Sequence, residues 1–577
     1  VERAVNDIAN FQAARDLLLA HPTDYERVRE AFRWPELSEF NWALDVFDPL
    51  AAGNDRLALG FADATGIVAS RSFDELRRRS NQLANLWLDR GVRRGDRLLL
   101  MLPNSIPLWE AILAATKLGV VIIPAAPQLL PKDLEDRFAR GGAKHVITDR
   151  DGLPKVGALG REGVRLLVGG EAADWVGDAA INGAPAELRP PGTTRATDPL
   201  LLYFTSGTTA QPKLVLHTHA SYPVGHLVTM YWLGVRPGDR HLNISSPGWA
   251  KHAWSSLLAP WNAGASIVVF APPRPEPRVV LETIRRAEID TFCGPPTLWR
   301  MLINEPLGPR PDRLREVLSA GEPLNPEVIE RVRSAWGLTI REGYGQTETT
   351  LLVGNFPGQP VKPGSMGRPA PGYTIDLRPL GVEGAESDGP GGSSATEGEI
   401  AVGLDPRPLG LMVGYLDDPA RMAAATAEGW YRTGDVAARD ADGYLTYVGR
   451  TDDVFKSAGY RLSPFELESV LIEHPAVAEA AVTESPDRVR GVVPKAFLAL
   501  RAGFAADRAL ALDILRFVRG RVAPYQRIRR LEFAELPKTI SGKIRRVELR
   551  LLERGREGKP PASGAAFAEE EFPELRG

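Results

Sequence analysis

The sequence predicts an α/β protein with a large multi-sheet N-terminal domain followed by a smaller α+β C-terminal domain. Three observations carry that prediction. Short apolar runs alternate with amphipathic helical stretches as far as about Glu399. Beyond that point the pattern changes to short strands and turns. A chain of 577 residues is also too long for one comfortable hydrophobic core, so two domains are expected.

After a helical lead-in with several aromatics, the run Arg97 to Leu102 reads as a buried strand. A helix from Ser105 to Leu118 and a strand from Val120 to Ile123 complete a βαβ unit, which belongs in a parallel sheet covered by helices. The pattern recurs in strands at Leu242 to Ile244, Ser266 to Phe270, Thr291 to Cys293 and Val317 to Ser319, with helices such as Val279 to Ala287 and Thr297 to Asn304 between them. Asp442-Gly443 is a turn signal ahead of the apolar run Tyr444 to Val448. Ser463-Pro464-Phe465-Glu466 supplies an N-cap serine, a first-turn proline and a capping-box glutamate, opening a helix to about Glu473. The expected division is therefore 1–450 for the large domain and 451–556 for the small one. Residues 557–577, rich in Pro, Ala, Gly and Glu, read as a disordered tail, and Gly381 to Thr396 as a surface loop.

The 44% apolar and 25% charged content is that of an ordinary globular protein, and no run approaches the roughly 20 apolar residues of a membrane span. A net charge of -3 gives no global pull toward nucleic acid or anionic lipid. The single cysteine, Cys293, excludes an intramolecular disulfide and a cysteine-rich zinc site; in its apolar run it reads as a small buried hydrophobe rather than a catalytic thiol. The opening VERAVNDIANFQAARDLLLA lacks the basic-then-apolar layout of a secretory signal, so a cytoplasmic location is expected.

The strongest local signal is Thr205-Ser206-Gly207-Thr208-Thr209-Ala210-Gln211-Pro212-Lys213, directly after the apolar run Leu200 to Phe204. Hydroxyls and free backbone N–H groups in a turn that follows a strand form a nest for phosphate oxygens. The segment lacks the Gly-Lys-Ser/Thr ending of a Walker A loop, and by itself a Ser/Thr-rich turn is more often plain solvated loop. Its companions decide. They are Gly321-Glu322-Pro323, Glu342-Gly343-Tyr344-Gly345-Gln346-Thr347-Glu348, Tyr431-Arg432-Thr433-Gly434-Asp435, Gly449-Arg450-Thr451-Asp452-Asp453 and Leu536-Pro537-Lys538-Thr539-Ile540-Ser541-Gly542-Lys543.

In that order and spacing the set resembles the adenylate-forming superfamily of acyl-CoA synthetases, nonribosomal-peptide adenylation domains and firefly luciferase. The likeness covers nearly the whole chain as far as about Gly555. It is strongest with the medium-chain acyl-CoA synthetase branch, as in IREGYGQTETT, SPDRVRGVVPKAFLAL and VAPYQRIRRLEFAELPKTISGKIRR.

The resemblance implies a large adenylate-forming domain and a mobile small domain that turns about a hinge at Asp452. It implies an ATP site made by Thr205, Ser206, Gly207, Thr208, Thr209, Lys213, Gly321, Glu322, Pro323, Glu342, Gly343, Tyr344, Gly345, Gln346, Thr347, Asp435, Arg450 and Lys543. Physical chemistry fits these roles. Tyr344 can stack on adenine. Glu348 offers a hard oxygen to Mg²⁺, and Thr347 a hydroxyl to the α-phosphate. Asp435 can accept from both ribose hydroxyls, and Arg450 can contact the nucleotide with a fixed charge. Lys543 can neutralise the carboxylate and the α-phosphate as they approach in line. Catalysis is thus expected of Lys543, Thr205, Thr347 and Glu348. For CoA, rotation would bring up Lys456 to Arg461, with Gly459 and Arg461 at a pantetheine tunnel.

The acyl pocket is expected from Trp249, the run Lys251 to Trp254 with His252, Cys293, Gly294 and Gly345. Acetate-specific relatives carry tryptophan where this chain has Gly345, so an acid larger than acetate is expected. Two departures from the commonest pattern stand out: Ala210 where many relatives have glycine, and no aspartate ahead of Gly248-Trp249.

The implied function is an AMP-forming acyl-CoA synthetase, an acid-thiol ligase. It activates a medium-sized or bulky carboxylic acid with MgATP and transfers the acyl group to CoA. Alternatives are an adenylating enzyme that serves a carrier protein or a partner ligase and, from another class, a noncatalytic ligand-binding regulator. A homodimer is also among the expected assemblies. Arginine far outnumbers lysine, which suggests a GC-rich genome, where such enzymes serve secondary-metabolite biosynthesis as well as fatty-acid metabolism.

Overall fold

The run Ser266–Phe270 shows in small how the first sheet is built. Its β-branched residues are buried on both faces, as a strand covered by helices requires. In the computed structural model the described residues are 2–205, 212–379, 396–457, 460–487, 490–538, 544–556 and 565–575, with backbone alone for 2–5 and 460–461. They fall into two compact units. One comprises Val1–Ile375, Val402–Tyr431 and Asp442–Leu445; the other Asp376–Ala401, Arg432–Ala441 and Thr446–Gly577.

The described residues of the first unit form a nine-stranded and a seven-stranded sheet. In the nine-stranded sheet Arg341–Gly345, Glu316–Ala320, Thr291–Gly294, Arg240–Asn243, Ser266–Phe270 and Leu57–Asp63 run parallel in that spatial order. Antiparallel strands close both edges. Helix Pro277–Arg286 covers this sheet, starting on proline, ending on Arg285 and Arg286, and burying Val280, Leu281, Thr283 and Ile284 on one stripe. The seven-stranded sheet contains the predicted βαβ unit, with Arg97–Met101 parallel to Val121–Pro124 and helix Ile106–Leu118 between them. Its strand Pro199–Thr205 pairs antiparallel with Lys213–Thr218. No helix among the described residues is long and apolar enough to cross a membrane.

The second unit carries the sheet Val477–Asp487, Gly491–Leu500, Arg530–Phe533 and Ala566–Ala568, in that order. Helix Pro464–Ile472 begins at the expected N-cap, the Ser463 hydroxyl accepting from the Glu466 N–H at 3.2 Å, while the Glu466 carboxylate accepts from Gln526 Nε2 at 3.0 Å instead of closing the capping box. The tail departs from expectation. Residues 565–575 are ordered against this unit: Ala566–Ala568 adds an antiparallel strand, Phe567 packs 6.1 Å from Phe533, and Phe572 and Leu575 are buried. Its acidic residues, which suggested disorder, find partners, Glu569 with Arg519 and Arg529 and Glu574 with Arg508. The rest of the tail and positions 381–395 of the expected surface loop lie outside the described residues.

Candidate active site

Parallel pairing in register delivers several strand ends to one edge of the nine-stranded sheet. Gly294 lies opposite Ser319, and Ala320 opposite Gly343. Gly321-Glu322-Pro323 and Gln346-Thr347-Glu348 therefore leave the sheet at its C-terminal edge, where open α/β sheets hold ligands.

Glu342 ties these two segments together. Its Oε1 accepts from the Leu324 N–H at 2.8 Å, just past the Gly321-Glu322-Pro323 turn. Its backbone carbonyl accepts from Trp232 Nε1–H at 3.0 Å. Oε2 is buried with no partner among the described residues, and burial pushes the carboxyl up to about 8.

Thr347 is held from behind by His217, a fully buried residue of strand Lys213–Thr218. A carbonyl can only accept, so His217 Nε2 donates to the Thr347 oxygen, at 2.7 Å. The other ring nitrogen then accepts from the Ser221 hydroxyl at 3.2 Å, while that oxygen takes the Thr218 N–H at 2.9 Å. Burial pushes His217 down to about 4, in keeping with a neutral ring.

Glu348 is buried and accepts from Tyr415 Oη–H at 3.1 Å, with Lys213 Nζ 3.5 Å from the same oxygen. Thr205 pairs with Lys213 across the antiparallel ladder, and its buried hydroxyl has no partner among the described residues. An unsatisfied hydroxyl next to a cation and a carboxylate is what a ligand-binding edge leaves open. Tyr431 Oη–H donates to Gln346 Oε1 at 3.2 Å. Among the described residues no group of three His, Cys, Asp or Glu could hold a metal ion. The single carboxylate of Glu348 suits Mg²⁺ carried in on nucleotide phosphates, since that ion is commonly bound through one or two carboxylates plus substrate oxygens.

The acyl-pocket residues divide. Trp249 and His252 line a small apolar cavity of about 30 Å³, with Leu108, Ile112, Leu201 and Leu257. His252 Nε2 lies 2.9 Å from Asn104 Oδ1, and burial pushes the ring down to about 3. Cys293, Gly294 and Gly345 are not among that cavity's walls. Cys293 is fully buried, as expected of a packing residue, and burial pushes its thiol up. At Gly345 a Cβ would come 2.2 Å from the Thr350 carbonyl oxygen and 2.5 Å from Trp254 Cη2, so only glycine fits.

In the second unit Asp435 is buried on strand Trp430–Arg439. Its Oδ1 accepts from Arg450 Nη1 at 3.2 Å and from Tyr447 Oη–H at 3.4 Å. Gly434 makes this possible: its φ is +74°, and a Cβ there would lie 2.7 Å from Arg450 Nη2. Arg450 Nε is also 3.6 Å from Asp452, which Arg550 approaches at 3.9 Å. Arg461 lies on strand Tyr460–Leu462, and only its backbone is described. Ser206, Gly207, Thr208, Thr209, Gly459 and Lys543 lie outside the described residues.

Sequence reasoning missed His217 and Tyr415, whose partners are 130 and 67 positions away. The one available signal was a polar residue at a buried position of strand Lys213–Thr218.

Comparison with known proteins identifies the family. Residues 51–416 match the family described as AMP-binding enzyme, and 466–543 the AMP-binding enzyme C-terminal domain. The chain is 43% identical over 530 residues to 4-hydroxybutyrate--CoA ligase 1 of Metallosphaera sedula, covering 90% of this chain and 91% of that protein. It is 39% identical over 549 residues to the mitochondrial acyl-coenzyme A synthetase ACSM3 of Mus musculus, covering 92% and 93%. Among solved structures, the anthranilate CoA ligase AuaEII in complex with anthranoyl-AMP superposes with a TM-score of 0.79 at 28% identity, over 89% of this chain and 98% of that one. By matched length, identity and fold, the chain belongs to the AMP-binding enzyme family and to its acyl-CoA synthetases.

Proposed function

We propose that this acyl-CoA synthetase works in two steps on a medium-sized or bulky carboxylic acid. The acid's carboxylate attacks the α-phosphorus of ATP and pyrophosphate leaves, giving an acyl-adenylate. The CoA thiolate then attacks the acyl carbon and AMP leaves. The observation that carries this reading is the meeting of Thr205 and Lys213 of the seven-stranded sheet with Thr347 and Glu348 beyond the nine-stranded one, joined by the 3.5 Å Lys213–Glu348 pair and with an unsatisfied buried hydroxyl at Thr205.

In this reading Lys213 and the hydroxyls of Thr205 and Thr347 face the phosphate oxygens, where charge develops during attack. Tyr344 stacks on adenine beside the turn that Glu342 secures. Glu348 would hold Mg²⁺, which when bound neutralises phosphate charge. Asp435 and Arg450 serve the ribose and phosphates, and Lys543 the carboxylate and α-phosphate of the first step. Asp452, linked to Arg450 and Arg550, is the proposed hinge, with Gly459 and Arg461 serving CoA. The proposed hinge defines functional domains of 1–450 and 451–556. A cytoplasmic setting, where ATP and CoA are supplied, goes with the reading.

Lys543→Ala tests the division of labour. It should nearly abolish acyl-adenylate formation and spare thioester formation from supplied acyl-adenylate; equal loss of both half-reactions contradicts the assignment.

A further inference from the structure

We propose that Arg140 is a positioning residue for the adenylation step: its guanidinium ties together the two chain segments that bring Lys213 and Tyr415 onto Glu348. The inference rests on the acyl-CoA synthetase reading and adds to it a residue that lies outside every motif named above. Arg140 is on helix Pro131–Gly141. Its Nη2 donates to the Pro212 carbonyl at 3.0 Å and to Asp417 Oδ2 at 2.8 Å, and its Nε donates to that same carboxylate oxygen at 3.2 Å. Asp136, on the same helix, accepts from Nη1 at 3.4 Å. Pro212 immediately precedes Lys213, and Asp417 lies two residues past Tyr415. Lys213 Nζ and Tyr415 Oη converge on one oxygen of Glu348, at 3.5 and 3.1 Å. A single fork therefore braces both from behind.

Backbone pairing puts the two acceptors within reach of one side chain. Tyr415 lies opposite Val215 in an antiparallel pair, and the Leu416 N–H donates to the Leu214 carbonyl at 2.9 Å, so Asp417 arrives beside Pro212. The helix is held close to them. A Cβ on Gly141 would stand 2.8 Å from Ile123 Cδ1 and 3.3 Å from Phe204 Cε2, so the helix rests against the strand that ends in Thr205. Arg137, three residues before Arg140 and buried, sets its guanidinium 5.0 Å from the centre of the Phe204 ring, and that of Arg140 stands 5.8 Å from it. The pair itself adds little stability, because Arg140 is 24% and Asp417 39% exposed. What the fork contributes is geometry: a planar guanidinium fixes two acceptors relative to each other, which a lysine ammonium on a flexible stem does not. Displacement of Pro212 or Asp417 passes through one or two residues to Lys213 and Tyr415, and small misplacements are costly in oriented reactions.

The experiment compares wild type with Arg140→Met, Arg140→Lys and Asp417→Asn. It measures thermal midpoints, equilibrium ATP affinity without acid, and carboxylate-dependent pyrophosphate release with MgATP and the acid varied separately. Arg140→Met keeps the stem and loses the fork. It should weaken ATP binding and raise the KM for MgATP at least about tenfold, the low end of what a hydrogen bond to a charged group contributes, and leave the KM for the acid and the thermal midpoint unchanged. Arg140→Lys keeps the charge without the fork and should recover only part of that loss; it carries the test if the methionine variant does not fold. Asp417→Asn leaves the bond to Pro212 in place and should cost less, and added to Arg140→Met it should cost nothing more, since both break one fork. Folded variants with wild-type ATP affinity and KM overturn the proposal, as does a loss of active fraction with both KM values unmoved. Wild type without carboxylate-dependent pyrophosphate release on any acid would instead defeat the synthetase reading and take this inference with it.

Discussion

His217 donates from Nε2 to the backbone carbonyl of Thr347 across 2.7 Å, which joins strand Lys213–Thr218 to the segment carrying Thr347 and Glu348. The ring has no exposure, and the Thr347 carbonyl, which can only accept, fixes its tautomer. Glutamine can place an N–H near the same point and leucine cannot. His217→Leu is therefore expected to slow adenylate formation by on the order of a hundredfold, the scale of small misplacements in oriented reactions. His217→Gln should recover much of that rate. Pre-steady-state adenylate formation checks both variants.

Glu342 predicts a pH dependence of stability. Its carboxyl is pushed up to about 8 in the folded chain from an ordinary value of 4.5. Between those values the folded state holds a proton that the unfolded state has lost, so its contribution is greatest below 4.5 and declines as pH rises to about 8. Glu342→Gln removes that decline. The variant should gain on wild type between pH 5 and pH 8, by a difference on the order of several kcal/mol at full development. Urea midpoints at pH 5 and pH 8 read it; parallel changes in both proteins would contradict the assignment.

Glu348 and Tyr415 are expected to act as a pair. Glu348→Gln should raise the KM for MgATP and lower the rate of adenylate formation. Tyr415→Phe removes one hydrogen bond to a buried carboxylate and should cost roughly tenfold in the same step, the low end of what such bonds contribute. Steady-state kinetics with varied Mg²⁺ separates weakened nucleotide binding from slowed chemistry.

Phe572 tests the ordered tail. It is buried in the core of the second unit beside Leu531, Phe533 and Ile514. Phe572→Ala should destabilise that unit by about 3 kcal/mol, the usual cost of emptying a buried aromatic site. The transition of the second unit in thermal or urea unfolding reads the effect.

Much of the fold was legible because its signals are local. Ser266–Phe270 reads as a buried strand from β-branched residues alone, and the Ser463 cap from four consecutive residues. The motifs proposed for the site are local runs too, and could be read as candidates for the same reason. What escaped depends on contacts between distant segments. Nothing near Thr347 announces His217, and nothing near Glu348 announces Tyr415. The tail was misread because EEEFPEL is acidic and short of apolar residues, whereas its stability comes from arginines at 508, 519 and 529 and a strand edge prepared far upstream.

The most direct test of the central claim is carboxylate-dependent release of AMP and pyrophosphate across short, medium-chain, aromatic and polycyclic acids, with and without CoA, and with mass detection of the thioester. The account predicts pyrophosphate release with an accepted acid and, only when CoA is present, sustained turnover yielding AMP and acyl-CoA. Acyl-adenylate that accumulates and that CoA cannot discharge would contradict it.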